Sequence, residues 1–257
     1  MTDATNQLPG LGTPGSPTFG TWVKLPTLET MEMLSHAGFD FVVIDLEHSP
    51  LTLESTYRLI VAAQSFGMTA FVRVPDRSGN YIQRVLDSGA DGILVPQVTS
   101  VEQAEQAISQ MTFSPTGVRG MGITSRAGRW GLLGSGYRAT GERVVKAIQI
   151  EDRNVLEHIE PLLDVAGLSA AFIGMGDLTM SSGLSASSPE LSGAVEHLIE
   201  QCQRRSLPLG TAVGNADQAA KATDQGYSFI MVSNDATMFA KAARELGSGL
   251  DALRSSS

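Results

Sequence analysis

The chain has 257 residues, 42% of them apolar, a net charge of −9 and one cysteine. That length carries one large α/β domain or two small ones. The acidic balance excludes a nucleic-acid binder, which needs a basic face. No apolar stretch approaches the roughly 18 residues of a membrane span, and Cys202 alone makes neither an internal disulfide nor a cysteine metal cluster.

Residues 1–17 are rich in Pro, Gly, Thr and Ser and lack periodicity, which predicts a mobile arm. With no Lys or Arg in the first 20 residues and no apolar core of a signal peptide, the expected compartment is the cytoplasm. Short apolar runs follow at 19–23, 41–45, 70–74, 92–96, 145–150, 171–174, 208–212 and 228–232. These are eight candidate strands. Most gaps between them hold amphipathic helical patterns, such as the stripe Leu53, Tyr57, Leu59, Ile60 and Ala63. Cys202 falls in one such pattern as a small core residue. Gly38, Gly67, Gly89, Gly167 and Gly226 each stand between a helix and the next strand, where a left-handed residue is wanted. Eight β-α units predict a (β/α)8 TIM barrel over residues 18–250 as a single catalytic domain, with a frayed tail at 251–257. An open doubly wound sheet is the competitor, but Thr21-Trp22-Val23-Lys24 is no Gly-rich phosphate turn.

The gap at 112–143 is longer than the others, with eight Gly and five Arg, and is read as a βα crossover, part of which covers the active face. The C-terminal helix carries Met238, Phe239 and Ala242, which suit packing on a neighbour as well as on its own barrel.

Polar groups gather just past the strands. The apolar run Phe41-Val42-Val43-Ile44 ends in Asp45, Glu47 and His48, the place where parallel α/β folds keep their chemistry. Asp45 as a helix cap and His48 as a loop residue are the plainer alternatives. Trp22 and Lys24 follow strand one, strand three carries Arg73, strand five carries Gln149 and Glu151, and strand six runs into Gly174-Met175-Gly176-Asp177. Glu151 and Asp177 suit a hard divalent cation such as Mg²⁺ or Mn²⁺, which accepts one or two carboxylates and fills its other positions with water and substrate oxygens. A salt bridge for Glu151 and helix capping for Asp177 are the structural alternatives. Arg73 in a strand must meet an anion. Gly174 and Gly176 leave backbone N–H groups open to a carboxylate.

The segments Phe39 to His48, Val72-Arg73-Val74-Pro75, Leu86-Asp87-Ser88-Gly89-Ala90, Gly117-Val118-Arg119-Gly120, Gln149-Ile150-Glu151 and Phe172 to Thr179 together resemble the HpcH/HpaI aldolase family. The resemblance runs over about residues 18–245. It implies a metal-dependent class II pyruvate aldolase, a carbon–carbon lyase that cleaves a 4-hydroxy-2-oxo acid reversibly to pyruvate and an aldehyde. By resemblance Glu151 and Asp177 hold Mg²⁺, Mn²⁺ or Co²⁺, Arg73 holds the pyruvyl oxygen, and His48 is the catalytic histidine with Asp87 as its partner. Asp45 is a further acidic site residue, Gln149 with Gly174 and Gly176 binds pyruvate, and Trp22 is an aromatic wall. The resemblance also implies a homo-oligomer, a hexamer built as a trimer of dimers. The chain departs from the family pattern at Ser114-Pro115-Thr116-Gly117 and at Met175-Gly176. An acyl-CoA lyase of the malyl-CoA or citryl type, and an inactive scaffold, are the competing functions.

Overall fold

The computed structural model describes residues 8–255. Its eight strands are β1 (Thr18–Val23), β2 (Phe41–Asp45), β3 (Thr69–Arg73), β4 (Gly92–Val95), β5 (Val145–Ile150), β6 (Ala170–Ile173), β7 (Leu209–Val213) and β8 (Phe229–Asn234). All pair in parallel in chain order, and β8 closes on β1 to make a barrel. The helices between them are α1 (Leu28–His36), α2 (Leu53–Ser65), α3 (Gly79–Asp87), α4 (Val101–Met111), α5 (Tyr137–Glu142), α6 (Arg153–Glu157), α7 (Ile159–Leu163), α8 (Met175–Ser182), α9 (Pro189–Arg204) and α10 (Ala216–Gln225). A last helix, α11 (Asp235–Ser255), follows β8. The five glycines expected at helix ends all take a positive φ, between +83° and +95°.

Alternation along the strands divides the core in two. Outward residues such as Val42, Ile44, Val72, Ile148 and Ile173 pack under the helices, where Cys202 is also buried, its thiol pushed up to about 12 by desolvation. Inward residues fill the barrel, among them Phe41, Phe71, Phe172 and Phe229. The rings fit because glycines face them. A Cβ on Gly20 would lie 2.3 Å from the Phe41 ring, and one on Gly210 2.1 Å from the Phe229 ring.

Three expectations change. Of the segment expected as a mobile arm, residues 8–17 lie against the barrel: Leu11 is buried with the inward cluster, and Thr18 Oγ1 donates to the Gly10 carbonyl at 2.8 Å. Residues 1–7 lie outside the described residues. The tail expected to fray from 251 continues as helix to Ser255. The long segment 112–143 follows α4 and leads into β5, so it is an αβ connection on the N-terminal face, opposite the strand ends that carry the chemistry. Its side follows from α4, which ends at Met111 just before it. Arginines tie the segment to this face. Arg126 donates to the Ser88 carbonyl and to Gln64 Oε1, and Arg119 Nη2 lies 3.5 Å from Asp87 Oδ1 at the end of α3.

Helix α11 is largely unpacked along its length. Phe239, Leu246 and Leu250 are 71%, 74% and 54% exposed.

The packing predicts opposite effects for two glycine substitutions. Gly210→Ala forces Cβ into Phe229 and destabilises by about 1–3 kcal/mol. Gly193→Ala on α9, where a Cβ meets nothing within 4 Å, stabilises by about 0.5–1 kcal/mol. Urea denaturation of the two variants checks both signs.

Candidate active site

The C-terminal ends of the strands meet around Asp45. This residue closes β2 and is fully buried. It caps no helix, because α2 is capped by Thr52. Oδ1 accepts from Arg73 Nε at 2.9 Å and from the backbone N–H groups of Glu47 and His48 at 3.1 and 3.2 Å. Oδ2 accepts from Arg73 Nη2 at 2.8 Å and Lys24 Nζ at 2.6 Å. Burial by itself raises the carboxyl, but the hydrogen bonds and charge of Arg73, and then of Lys24, outweigh it and hold Asp45 at about 2. Asp45 is thus a permanent anion that fixes the turn after β2, and it is in no position to act as a base.

Arg73, 6% exposed, reaches further. Its Nη1 lies 3.0 Å from Glu47 Oε2, and its guanidinium sits 4.3 Å over the Trp22 ring. Trp22 in turn meets Phe172 edge-on at 5.8 Å, so the aromatic wall rests on the barrel core. Glu47 Oε1 accepts from Gln97 Nε2 at 2.9 Å. Gln97, just past β4, has a left-handed backbone with φ 56°, and its N–H donates to Glu151 Oε1 at 2.5 Å. One strained residue therefore links the β2 turn to the end of β5. The other Glu151 oxygen accepts from Gln149 Nε2.

Glu151 is raised from its ordinary value, first by desolvation and then by the negative charges of Glu47 and Asp177. Asp177 stands in the first turn of α8. Gln149 Oε1 is buried and accepts no hydrogen bond among the described residues. A Cβ on Gly174 would come within 2.9 Å of Gln149 Nε2, so glycine keeps this floor open. Among the described residues no three His, Cys, Asp or Glu side chains are grouped to hold a metal alone. A buried carboxylate repelled by two others, beside an orphaned amide oxygen, nevertheless fits a hard cation that takes two protein oxygens and completes its shell with water and substrate.

His48 lies on the same rim, its side chain 56% exposed and its Nε2 3.5 Å from Glu47 Oε2. Lys24 Nζ donates to the His48 carbonyl at 3.1 Å. The expected pairing of His48 with Asp87 does not occur within the chain. Asp87 ends α3, which runs antiparallel to the strands and delivers it to the N-terminal face, beside Arg119 Nη2 at 3.5 Å and Tyr137 Oη at 3.3 Å. Arg73, Asp45, Trp22, Gln149, Glu151, Gly174, Gly176, Asp177 and His48 share the C-terminal face. Glu47, Lys24 and Gln97 belong to the same network, although none of these polar residues was given a role from the sequence. Their signal was position, immediately after β2, β1 and β4.

A family model described as HpcH/HpaI aldolase/citrate lyase matches residues 18–242. The chain belongs to that family. It is 31% identical over 229 residues to the 2-dehydro-3,6-dideoxy-6-sulfogluconate aldolase of Pseudomonas putida, covering 88% of this chain and 90% of that protein. It is 30% identical over 235 residues to the 4-hydroxy-2-oxo-heptane-1,7-dioate aldolase of Escherichia coli, covering 90% of each. A crystal structure of a family member from Burkholderia cenocepacia J2315 superposes with a TM-score of 0.86 at 25% identity, covering 92% of this chain and 95% of that one. No helix among the described residues is long and apolar enough to cross a membrane.

Asp45→Asn removes the counter-charge of a buried arginine and is expected to destabilise at neutral pH by about 3–5 kcal/mol. A carboxyl depressed in the fold stabilises above its unfolded pKa, and that contribution is lost as pH falls from about 4 to about 2. The deficit of the variant therefore narrows over that window, read by denaturation of both proteins at each pH.

Proposed function

We propose that the protein is a metal-dependent aldolase that cleaves a 4-hydroxy-2-oxo acid reversibly to pyruvate and an aldehyde. The observation that carries this reading is the linkage of Arg73, Glu47 and Glu151 through Gln97, next to the open floor at Gly174. Glu151 and Asp177 would hold a divalent cation of the Mg²⁺, Mn²⁺ or Co²⁺ class. When bound, that ion polarises the 2-oxo group and stabilises developing negative charge.

The chain's own residues supply the rest. Arg73 is anchored by Asp45 through Nε and Nη2, so Nη1, which also meets Glu47 Oε2 at 3.0 Å, is the edge it offers to the 2-oxo oxygen. Gln149 and the backbone at Gly174 and Gly176 receive the carboxylate end of pyruvate. Trp22 walls the site and keeps Arg73 in plane. His48 takes the proton from the 4-hydroxyl, the C3–C4 bond breaks, and the electron pair moves toward C2 to give the enolate of pyruvate. The positive charge of Arg73 faces that enolate. The aldehyde leaves, and the proton held by His48 is returned to C3. No lysine Schiff base is required. Asp45 acts as an anchor. Asp87 has no part in this scheme within one chain.

Residues 18–250 form the catalytic domain of a cytoplasmic enzyme, and the partners are a 2-oxo acid and an aldehyde. The protein assembles as a homo-oligomer, a hexamer as a trimer of dimers. The exposed Phe239, Leu246 and Leu250 on α11 support burial of that helix against another copy.

Three outcomes are expected. The protein exchanges the methyl protons of pyruvate into deuterated water, chelator stops the exchange, and Mg²⁺ or Mn²⁺ restores it. NMR of pyruvate reads this without knowledge of the aldehyde, and full exchange in excess chelator contradicts the reading. His48→Ala lowers cleavage by about 10²–10⁴-fold, the usual loss of general acid–base catalysis, and leaves metal affinity unchanged by calorimetry. Light scattering gives a mass several times that of the chain, and a monomer rejects the assembly.

A further inference from the structure

The acceptor side of the site can be located from the strand order. Gln149, Glu151 and Asp177 come from β5 and the β6–α8 junction, and Arg73 from β3. The ring is completed by β7, β8, β1, β2 and β4. His48, on the turn after β2, takes the 4-hydroxyl proton, so the acceptor end of the oxo acid extends from β5 and β6 toward β2 and toward β1 and β8 beside it. A groove of about 1040 Å³, lined mainly by α9 and α10, reaches these strand ends, with Trp22, Met175, Ala212, Ser233 and Asn234 among the residues at that mouth.

The chemistry of this mouth is neutral. Trp22, Met175 and Ala212 are apolar, and Ser233 and Asn234 are uncharged hydrogen-bonding groups. The nearby cations Lys24 and Arg73 are both bound to Asp45. Lys221 also lines the groove, but on the flank of α10 and in company with Glu196 and Glu200 of α9.

Ser233 is set apart by two further observations. Its φ is +59°, a left-handed conformation that costs a non-glycine residue energy. The β1–β8 register also shifts here. Gly20 pairs with Met231, but Trp22 pairs with Asn234, so β8 carries an extra residue at this point. Bulges of this kind re-aim side chains beside active sites. Among the described residues no hydrogen bond engages the Ser233 hydroxyl, whereas Asn234 Oδ1 accepts from the Thr237 N–H at 2.8 Å and caps α11.

We propose that Ser233 is a specificity-determining residue whose hydroxyl reads a hydroxyl group of the acceptor, so that the preferred partner of pyruvate is a short, uncharged hydroxyaldehyde. This rests on the aldolase reading and extends it to the substrate class. An aldehyde with a hydroxyl next to its carbonyl finds in Ser233 a hydrogen-bond partner, with Trp22 and Met175 against its carbon chain. An aldehyde bearing a carboxylate finds no unpaired cation at the mouth.

The test measures kcat/KM for condensation of pyruvate with glycolaldehyde, acetaldehyde and succinic semialdehyde. A single hydrogen bond worth about 1 kcal/mol corresponds to a preference for glycolaldehyde over acetaldehyde of about 5-fold, and the semialdehyde is the poorest of the three. Ser233→Gly, which accepts the left-handed backbone and removes the hydroxyl, brings the glycolaldehyde-to-acetaldehyde ratio close to one. Ser233→Asn, also tolerant of that backbone, retains a preference for glycolaldehyde. A wild type that prefers succinic semialdehyde, or a ratio unchanged in Ser233→Gly, overturns the proposal. Pyruvate methyl-proton exchange by the wild type separates the two levels. Exchange without the expected preference overturns this proposal alone, whereas absence of exchange overturns the aldolase reading and this proposal with it.

Discussion

Asp45 accepts hydrogen bonds from Arg73 Nε and Nη2, Lys24 Nζ, and the backbone N–H groups of Glu47 and His48, from a position with no solvent exposure. A buried carboxylate is tolerable only when its charge is met this fully. The same bonds orient everything around it. They hold the Arg73 guanidinium over Trp22, turn the chain after β2 so that Glu47 faces Arg73 and His48 stands on the rim, and bind the end of β1 to that turn through Lys24. The site is therefore organised around an ion pair buried at a strand end, with Gln97 extending it to Glu151.

The direction of the barrel decides which polar residues belong to this network. Residues just past a strand emerge on the C-terminal face, and residues just past a helix emerge on the other. That rule made most of the site legible, because Asp45, Arg73, Glu151 and Asp177 all follow apolar runs of strand length. It also explains what was not legible. Asp87 looked like a partner for His48, but it ends α3 and so sits at the far end of the barrel with Arg119 and Tyr137. The segment 112–143 was read as a βα crossover over the active face, but α4 ends at Met111 just before it, and a segment between a helix and the next strand emerges on the other face. Gln97 carried no motif. Its role comes from a left-handed backbone, which no residue type announces except glycine.

The N-terminal segment shows a different limit. Its composition gave a mobile arm, yet Leu11 closes the base of the barrel beside Phe41, Phe71 and Phe229. Two leucines, Leu8 and Leu11, in a polar stretch make no periodicity, and only the open end of the barrel gives them a place. At the other terminus the exposed apolar side chains of α11 were visible as a pattern, but which surface they meet is a property of the assembly rather than of one chain.

The claim on which the functional account turns is that Glu151 and Asp177 take a cation whose shell is completed by the oxo acid. Binding of Mn²⁺ followed by electron paramagnetic resonance, with and without pyruvate, tests it directly. The account predicts that the wild type binds Mn²⁺, that pyruvate tightens the binding, and that Glu151→Gln loses both effects in a protein that remains folded by circular dichroism. Mn²⁺ binding that survives Glu151→Gln unchanged, or that pyruvate leaves unaltered, would contradict it.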